Sequence, residues 1–356
     1  FKMTILTNIS NGLKREKPAR KIIKLDQNES PIGASPIAIA AGQKAMLHCH
    51  RYPGNEGLLS LKKCLSKHLS VLPENITLGN GSEGLLELIV KTYLTPLNSA
   101  VIPNYCFAGI AKIIRNSNVP LKIAKNTLSY ISASTILEAI DRLTKIVFIV
   151  NPNNPTGNYI NERELTCLLD KLPQDILIVI DEAYGEYVET DDYPSTIKLL
   201  PNYPNLIVTR TFSKLYGLAG LRLGYAISGL AIAASLSLNS LPFSVNAIAL
   251  AAAEASLNDR DHINLARLLN QRGRSQLSKG LQNLGVAIIP SYANFLCIDL
   301  KFPAWPIYQQ LLNHGIAVKP LHDYGLPNCL RLSIGTKKEN QYFLNTFKVI
   351  LAKIAF

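Results

Sequence analysis

The chain has 356 residues, 47% of them hydrophobic and 17% charged. These values exclude a disordered or fibrous protein and leave room for a large core and two domains. The formal net charge of +12 comes from scattered Lys and Arg, densest from Arg15 to Arg20, and suits anionic small substrates better than nucleic acid. The six cysteines form no C-x-x-C pair and the histidines no H-x-x-x-H. No metal site is expected, and the cysteines read as reduced residues of a cytoplasmic protein.

Residues 1–24 are polar and basic, and the opening run is too short for a signal peptide. A turn-rich loop follows through Asn28 and Gly33, then a helix over 36–47. A second loop, Arg51-Tyr-Pro-Gly-Asn-Glu-Gly57, precedes a helix over 58–69 with Leu58, Leu61, Leu65 and Leu69 along one face. Ile76-Thr-Leu78 reads as a strand, Gly79-Asn-Gly-Ser-Glu-Gly84 as a glycine-rich turn, and 85–93 as a helix. That order points backbone N–H groups at an anion, although the turn by itself is equally an ordinary turn.

Ala100-Val-Ile102 is the next strand, with Tyr105 just past its end. Lys145–Val150 is a continuous apolar strand suited to a sheet covered on both faces. It runs into Asn151-Pro-Asn-Asn-Pro-Thr-Gly157. Asn161 is placed to cap the next helix, with Glu164 completing a capping box. Strands at 176–180 and 206–209 end at Asp181-Glu-Ala-Tyr184 and near Lys214. The uncharged run Leu223–Ala253 is long enough to span a bilayer, yet Pro242, Asn239 and Asn246 break it, so it is expected to form a strand and two buried helical pieces, with no membrane span. Helices at 251–257, 262–284, 306–314 and 338–353, with strands at 295–299, 316–318 and 330–334, complete the chain.

Alternating apolar strands and amphipathic helices predict an α/β fold: a three-layer large domain with a mostly parallel sheet, plus a smaller α+β domain. The expected divisions are an arm over 1–35 that joins the small domain, a large domain over 36–250 and a small domain over 251–356. The site belongs at the carboxyl ends of the strands, where Tyr105, Asn154, Asp181, Tyr184 and Lys214 fall. These residue types suit a pyridine aldehyde cofactor with a phosphate tail. A carboxylate keeps the ring nitrogen protonated, Asn and Tyr bond the phenolic oxygen, an aromatic stacks on the ring and lysine forms the Schiff base. Singly, Asp181 could serve as a cap, Tyr184 and Tyr105 as core aromatics, and Arg331 as a surface ion pair.

The set Asn151-Pro-Asn-Asn-Pro-Thr-Gly157, Asp181-Glu-Ala-Tyr184, Thr211-Phe-Ser-Lys214 and Gly217-Leu-Ala-Gly-Leu-Arg222 resembles the fold type I pyridoxal-phosphate aminotransferases. Within them it is most similar to the histidinol-phosphate aminotransferase family, over Leu25–Thr336. Leu25-Asp-Gln-Asn-Glu-Ser-Pro31, Arg51-Tyr-Pro53, Gly79-Asn-Gly-Ser82 and Leu330-Arg-Leu-Ser-Ile-Gly335 follow in the family's order. The resemblance implies pyridoxal 5'-phosphate on Lys214, Asp181 at the ring nitrogen, and Asn154 and Tyr184 at the phenolic oxygen. It further implies Tyr105 stacked on the ring and Ser82, Glu83, Thr211, Ser213 and Arg222 around the phosphate. Tyr52 would reach the partner's cofactor in a homodimer, and Arg331, Lys319 and Asn28 would contact substrate.

The chain departs from the family pattern at Gly54, Ser30 and Lys319, where Asp, Asn and Arg are common. The expected reaction is ping-pong transamination of histidinol phosphate with 2-oxoglutarate, in histidine biosynthesis. Threonine-phosphate decarboxylation and aromatic amino-acid transamination are the alternatives on the same scaffold. A non-catalytic regulator would need an added DNA-binding domain for which 356 residues leave no room.

Overall fold

A computed structural model describes residues 22–354; the basic stretch Arg15–Arg20 lies outside them. The chain opens with β1 (Ile23–Lys24), α1 (Pro36–Met46) and α2 (Asn55–Leu69). Then come β2 (Ile76–Gly79), α3 (Gly81–Tyr93), β3 (Ser99–Pro103), α4 (Ala108–Asn116), β4 (Leu121–Ala124), α5 (Ala133–Glu138) and β5 (Thr144–Val150). The middle holds α6 (Glu162–Lys171), β6 (Leu177–Asp181), α7 (Thr196–Leu199), β7 (Leu206–Thr211), β8 (Gly224–Ser228), α8 (Leu230–Asn239) and α9 (Ala247–Asn258). The last part holds α10 (Arg260–Gln282), β9 (Ala287–Ile289), β10 (Phe295–Asp299), α11 (Trp305–Asn313), β11 (Ile316–Ala317), β12 (Lys319–Pro320), β13 (Cys329–Ser333) and α12 (Lys337–Ile354).

Seven strands form one sheet in the order β2-β8-β7-β6-β5-β3-β4. All run parallel except β8, which is antiparallel to both neighbours, so the expected mostly parallel α/β sheet is what forms. Burial on both faces explains the unbroken Ile/Val composition of β5 and β6. Val147, Ile149, Ile178 and Ile180 enter one cluster with Leu165 and Leu168 of α6. Ile146, Phe148, Leu177 and Val179 enter the opposite one with Leu86 and Ile89 of α3 and Ile110 of α4. Each such side chain contributes about 1.5–3 kcal/mol on burial.

A second sheet, β12-β13-β10-β9, is antiparallel, and its cluster packs α10, α11 and α12 around Leu296, Ile298, Leu330 and Leu332. Leu25 joins this cluster, and β1 pairs in parallel with β11. The uncharged run becomes β8, α8 and α9, although Leu238 and Leu241 are exposed. Among the described residues no helix is long and apolar enough to cross a membrane.

Local expectations change at several places: α2 takes in Asn55–Gly57 of the expected loop, and the expected strand 316–318 gives β11 alone, with β12 in the antiparallel sheet. Asn161 Oδ1 does accept from Glu164 N at 2.9 Å, but the Glu164 carboxylate accepts from Ala133 N at 3.1 Å. The capping box stays open because α5 offers an unpaired N-terminal N–H. Helix α3 begins at Gly81, four residues earlier than its glycines suggest. Gly81 sits at φ +77°, and a Cβ there would lie 2.9 Å from Arg222 Nη2, so the glycine serves a close approach rather than a break.

Candidate active site

One cavity of about 310 Å³ opens at the carboxyl ends of β5, β6 and β7. Around it stand Asn28, Ser82, Glu83, Asn154, Asp181, Tyr184, Thr211, Ser213, Lys214, Arg222 and Arg331, all expected from sequence. Asp181 ends β6 at the floor, where Thr209 Oγ1 donates to its Oδ1 at 3.0 Å. Burial raises its pKa to about 6, against the opposing Thr209 bond. Lys214 follows β7. Burial, then the charges of Arg331 and Arg222, lower its pKa to about 8, with Glu29 and Asp181 opposing. Its Nζ donates to the Gln27 carbonyl at 3.0 Å and lies 5.7 Å from the centre of the Tyr184 ring.

Asn154 sits in a loop pinned at both ends. Asn151 N donates to Asp181 O at 2.8 Å, Ile160 N donates to Asn151 Oδ1 at 2.9 Å, and Gly157 N donates to Asn153 O at 2.8 Å. Asn154 Nδ2 reaches Tyr184 Oη at 3.4 Å, and its Oδ1 accepts from Arg331 Nη1 at 2.6 Å. Arg331 is buried, with Nη2 donating to Asp26 O at 2.6 Å and its guanidinium 5.5 Å from the Phe295 ring centre.

At the other end, the N-terminal turn of α3 meets Thr211, Ser213 and Arg222. Thr211 Oγ1 donates to Ser213 Oγ at 3.0 Å, and Arg222 Nη1 donates to Ala219 O at 3.1 Å. Gly224 pairs with Gly79 in the sheet, and a Cβ there would lie 2.5 Å from Ser82 N. Free helix N–H groups, hydroxyls and a guanidinium make an anion cradle.

Three expected residues do not line this cavity, and for Tyr52, expected at the partner's site, that is no departure. Tyr105, at φ +56°, packs against the cluster containing Leu321 and Leu326, and Phe107 lines the cavity instead. Both follow β3 at alternate positions, so the sequence carries no signal that separates them. Lys319 pairs with Arg331 across β12–β13, but its Nζ is 3.9 Å from Asp323 Oδ2 and outside the cavity. Tyr52 is 79% exposed and stacks on Phe243, centroids 4.6 Å apart, away from its own chain's cavity. Unread in the sequence were Phe107, Thr209 and the Asp26 and Gln27 carbonyls, which depend on strand register and long-range packing. Among the described residues no cluster of three or more His, Cys, Asp or Glu could hold a metal ion.

The model of the family "aminotransferase class I and II" matches residues 20–347. The chain belongs to that family. This aminotransferase is 42% identical over 332 residues to histidinol-phosphate aminotransferase 2 of Pseudomonas fluorescens, covering 93% of this chain and 90% of that one. It is 40% identical over 344 residues to histidinol-phosphate aminotransferase 1 of Nitrosococcus oceani, covering 95% and 91%. Its fold matches a crystal structure of histidinol-phosphate aminotransferase from Sinorhizobium meliloti in complex with pyridoxal-5'-phosphate, with TM-score 0.87, 28% identity and 94% and 92% coverage. Aspartate aminotransferase from Thermus thermophilus shares the fold at TM-score 0.83, with 21% identity and coverage of 93% and 92%.

Proposed function

We propose that this aminotransferase uses pyridoxal 5'-phosphate to move an amino group from histidinol phosphate to 2-oxoglutarate, giving imidazole acetol phosphate and glutamate in histidine biosynthesis. The observation that carries the reading is the gathering of Lys214, Asp181, Arg222 and Arg331 around one cavity, in a chain about 40% identical over most of its length to histidinol-phosphate aminotransferases. The residues fit the cofactor. A cradle that depends on two missing Cβ atoms suits its phosphate, a buried carboxylate suits its ring nitrogen and a lysine of lowered pKa suits its aldehyde. When bound, the cofactor supplies a ring that withdraws electrons from the substrate's Cα.

The protein's part follows from the placement of its side chains. Asp181 holds the proton on the ring nitrogen. Asn154 and Tyr184 donate to the phenolic oxygen. The backbone N–H groups of Ser82 and Glu83 in the first turn of α3, with the side chains of Thr211, Ser213 and Arg222, hold the phosphate, and Phe107 rather than Tyr105 supplies an aromatic face. Lys214 Nζ, which lines the cavity, would bond the cofactor's aldehyde and, once released, would serve as the base that takes the proton from the substrate's Cα. Arg331 grips the anionic end of either substrate, phosphate or carboxylate. Lys319 adds positive charge from the neighbouring strand.

The same reading includes a cytoplasmic homodimer in which exposed Tyr52 completes the partner's site. It also includes the arm, large-domain and small-domain divisions at residues 35 and 250. Pairing of β1 with β11 and the place of Leu25 in the third cluster support an arm that belongs with the small domain.

The test is a half-reaction screen. Cofactor-loaded protein should absorb visible light, and borohydride should fix the cofactor to Lys214. Histidinol phosphate should bleach the band faster than threonine phosphate or phenylalanine, and glutamate should also react. Protein that stays colourless with excess cofactor, or releases carbon dioxide from threonine phosphate instead, overturns the proposal.

A further inference from the structure

We propose that Asn28 is a positioning residue rather than a substrate contact: its side-chain amide holds the Tyr184 hydroxyl so that the phenolic hydrogen points into the cavity. Asn28 is 1% exposed and sits at φ +55°, a left-handed conformation that asparagine tolerates. Its polar groups are taken up within the protein. Its backbone N donates to Ser333 Oγ at 2.8 Å, and its carbonyl accepts from Asn294 Nδ2 at 2.9 Å. The Ser333 hydroxyl, having accepted from that N–H, donates its own hydrogen to Asn28 Oδ1 at 3.0 Å.

That last bond fixes which way the amide faces. Oδ1 is committed to Ser333, so Nδ2 meets Tyr184 Oη, at 3.1 Å. Asn154 Nδ2 approaches the same oxygen at 3.4 Å. An oxygen that accepts two N–H bonds keeps its own hydrogen as a donor for the remaining direction, and Tyr184 lines the cavity. Of the two amides, Asn28 makes the shorter bond to the phenol, 3.1 Å against 3.4 Å. The position of Asn28 is set in turn by the segment it ends. Leu25 N donates to Ala317 O, and Ser333 N donates to Leu25 O. Three consecutive residues of this segment then touch three site groups: Asp26 O takes Arg331, Gln27 O takes Lys214, and Asn28 takes Tyr184.

The inference rests on the pyridoxal-phosphate reading. A hydroxyl that donates to the ring oxygen stabilises the state in which the lysine nitrogen has lost its proton, so removing the donor raises the pH midpoint of the visible band. The test is a spectrophotometric pH titration of cofactor-loaded wild type, Asn28→Ala, Tyr184→Phe, the double variant and Ser333→Ala. Asn28→Ala and Tyr184→Phe should each raise the midpoint, by about half a unit to one unit. The double variant should move no further than Tyr184→Phe alone, because the amide acts through that hydroxyl. Ser333→Ala should shift it the same way by less, and it carries the test if Asn28→Ala does not fold. A midpoint that stays at the wild-type value in the loaded variants, or shifts that add in the double variant, overturns the assignment. Wild type that never develops the band overturns the cofactor reading instead.

Discussion

Lys214 and Asp181 are placed against their own solvation. A lysine of pKa about 8 is roughly one-quarter neutral at pH 7.5, whereas at its ordinary value of 10.5 almost none would be. The folded value lies below the unfolded one, so the fold is penalised while the lysine must carry charge. The penalty is full below about pH 8 and fades as pH rises toward 10.5. Lys214→Met should therefore raise the Tm of the cofactor-free protein at pH 7 by a few degrees, and the gain should shrink at pH 10, as calorimetry can check. The same substitution should abolish turnover. Asp181 has the opposite sign. With its folded value raised to about 6, it costs stability as pH rises from about 4 to 6. Arg331 offers a planar fork that lysine lacks. Arg331→Lys should raise KM for both the phosphorylated donor and 2-oxoglutarate by about 10- to 100-fold, the range expected for loss of one or two charge-assisted bonds, measured by initial rates.

Among elements, the decisive contact is that of the α3 N-terminus with the start of β8. Gly79 faces Gly224 across the sheet, and Gly224 lets Ser82 N and Arg210 O approach to where a Cβ would stand, at 2.5 and 2.9 Å. Gly224→Ala should push the first turn of α3 away from Arg222. The expected outcome is at least a tenfold weaker hold on pyridoxal phosphate, checked by equilibrium titration, because the phosphate donors no longer converge. This contact also shows what was legible. Strands β5, β6 and β7 announce themselves because burial on both faces demands continuous Ile and Val. Strand β4, partly exposed at the sheet edge, and the six-residue α5 carry no such signal. The start of α3 is hidden in the sequence because a glycine needed for the approach of Arg222 looks the same there as one that ends a helix.

At the scale of the whole molecule, Tyr52 and Phe243 form an exposed aromatic pair, with Leu241 exposed nearby in sequence. A monomer gains nothing from holding these side chains in water, and the proposed homodimer would cover them. Phe243→Arg should shift the protein from dimer toward monomer in sedimentation, with turnover falling in parallel because Tyr52 no longer reaches a second site. Retention of a dimer with full activity would count against a shared site.

What the sequence by itself determined is the list of chemical parts and their place at strand ends. Apolar runs, caps and short motifs are local, and Lys214, Asp181, Asn154 and Arg222 lie within such motifs. Tertiary structure alone decided which parts meet. Asn28 and Tyr184 are 156 residues apart yet share a hydrogen bond, and Thr209 reaches Asp181 only through the register of β6 and β7. Phe107 lines the cavity while Tyr105 packs against the cluster containing Leu321 and Leu326, and Lys319 stays outside the cavity on the strand beside Arg331. The lowered pKa of Lys214 is likewise a product of packing, since desolvation and the fields of Arg331 and Arg222 exist only once distant segments close around it.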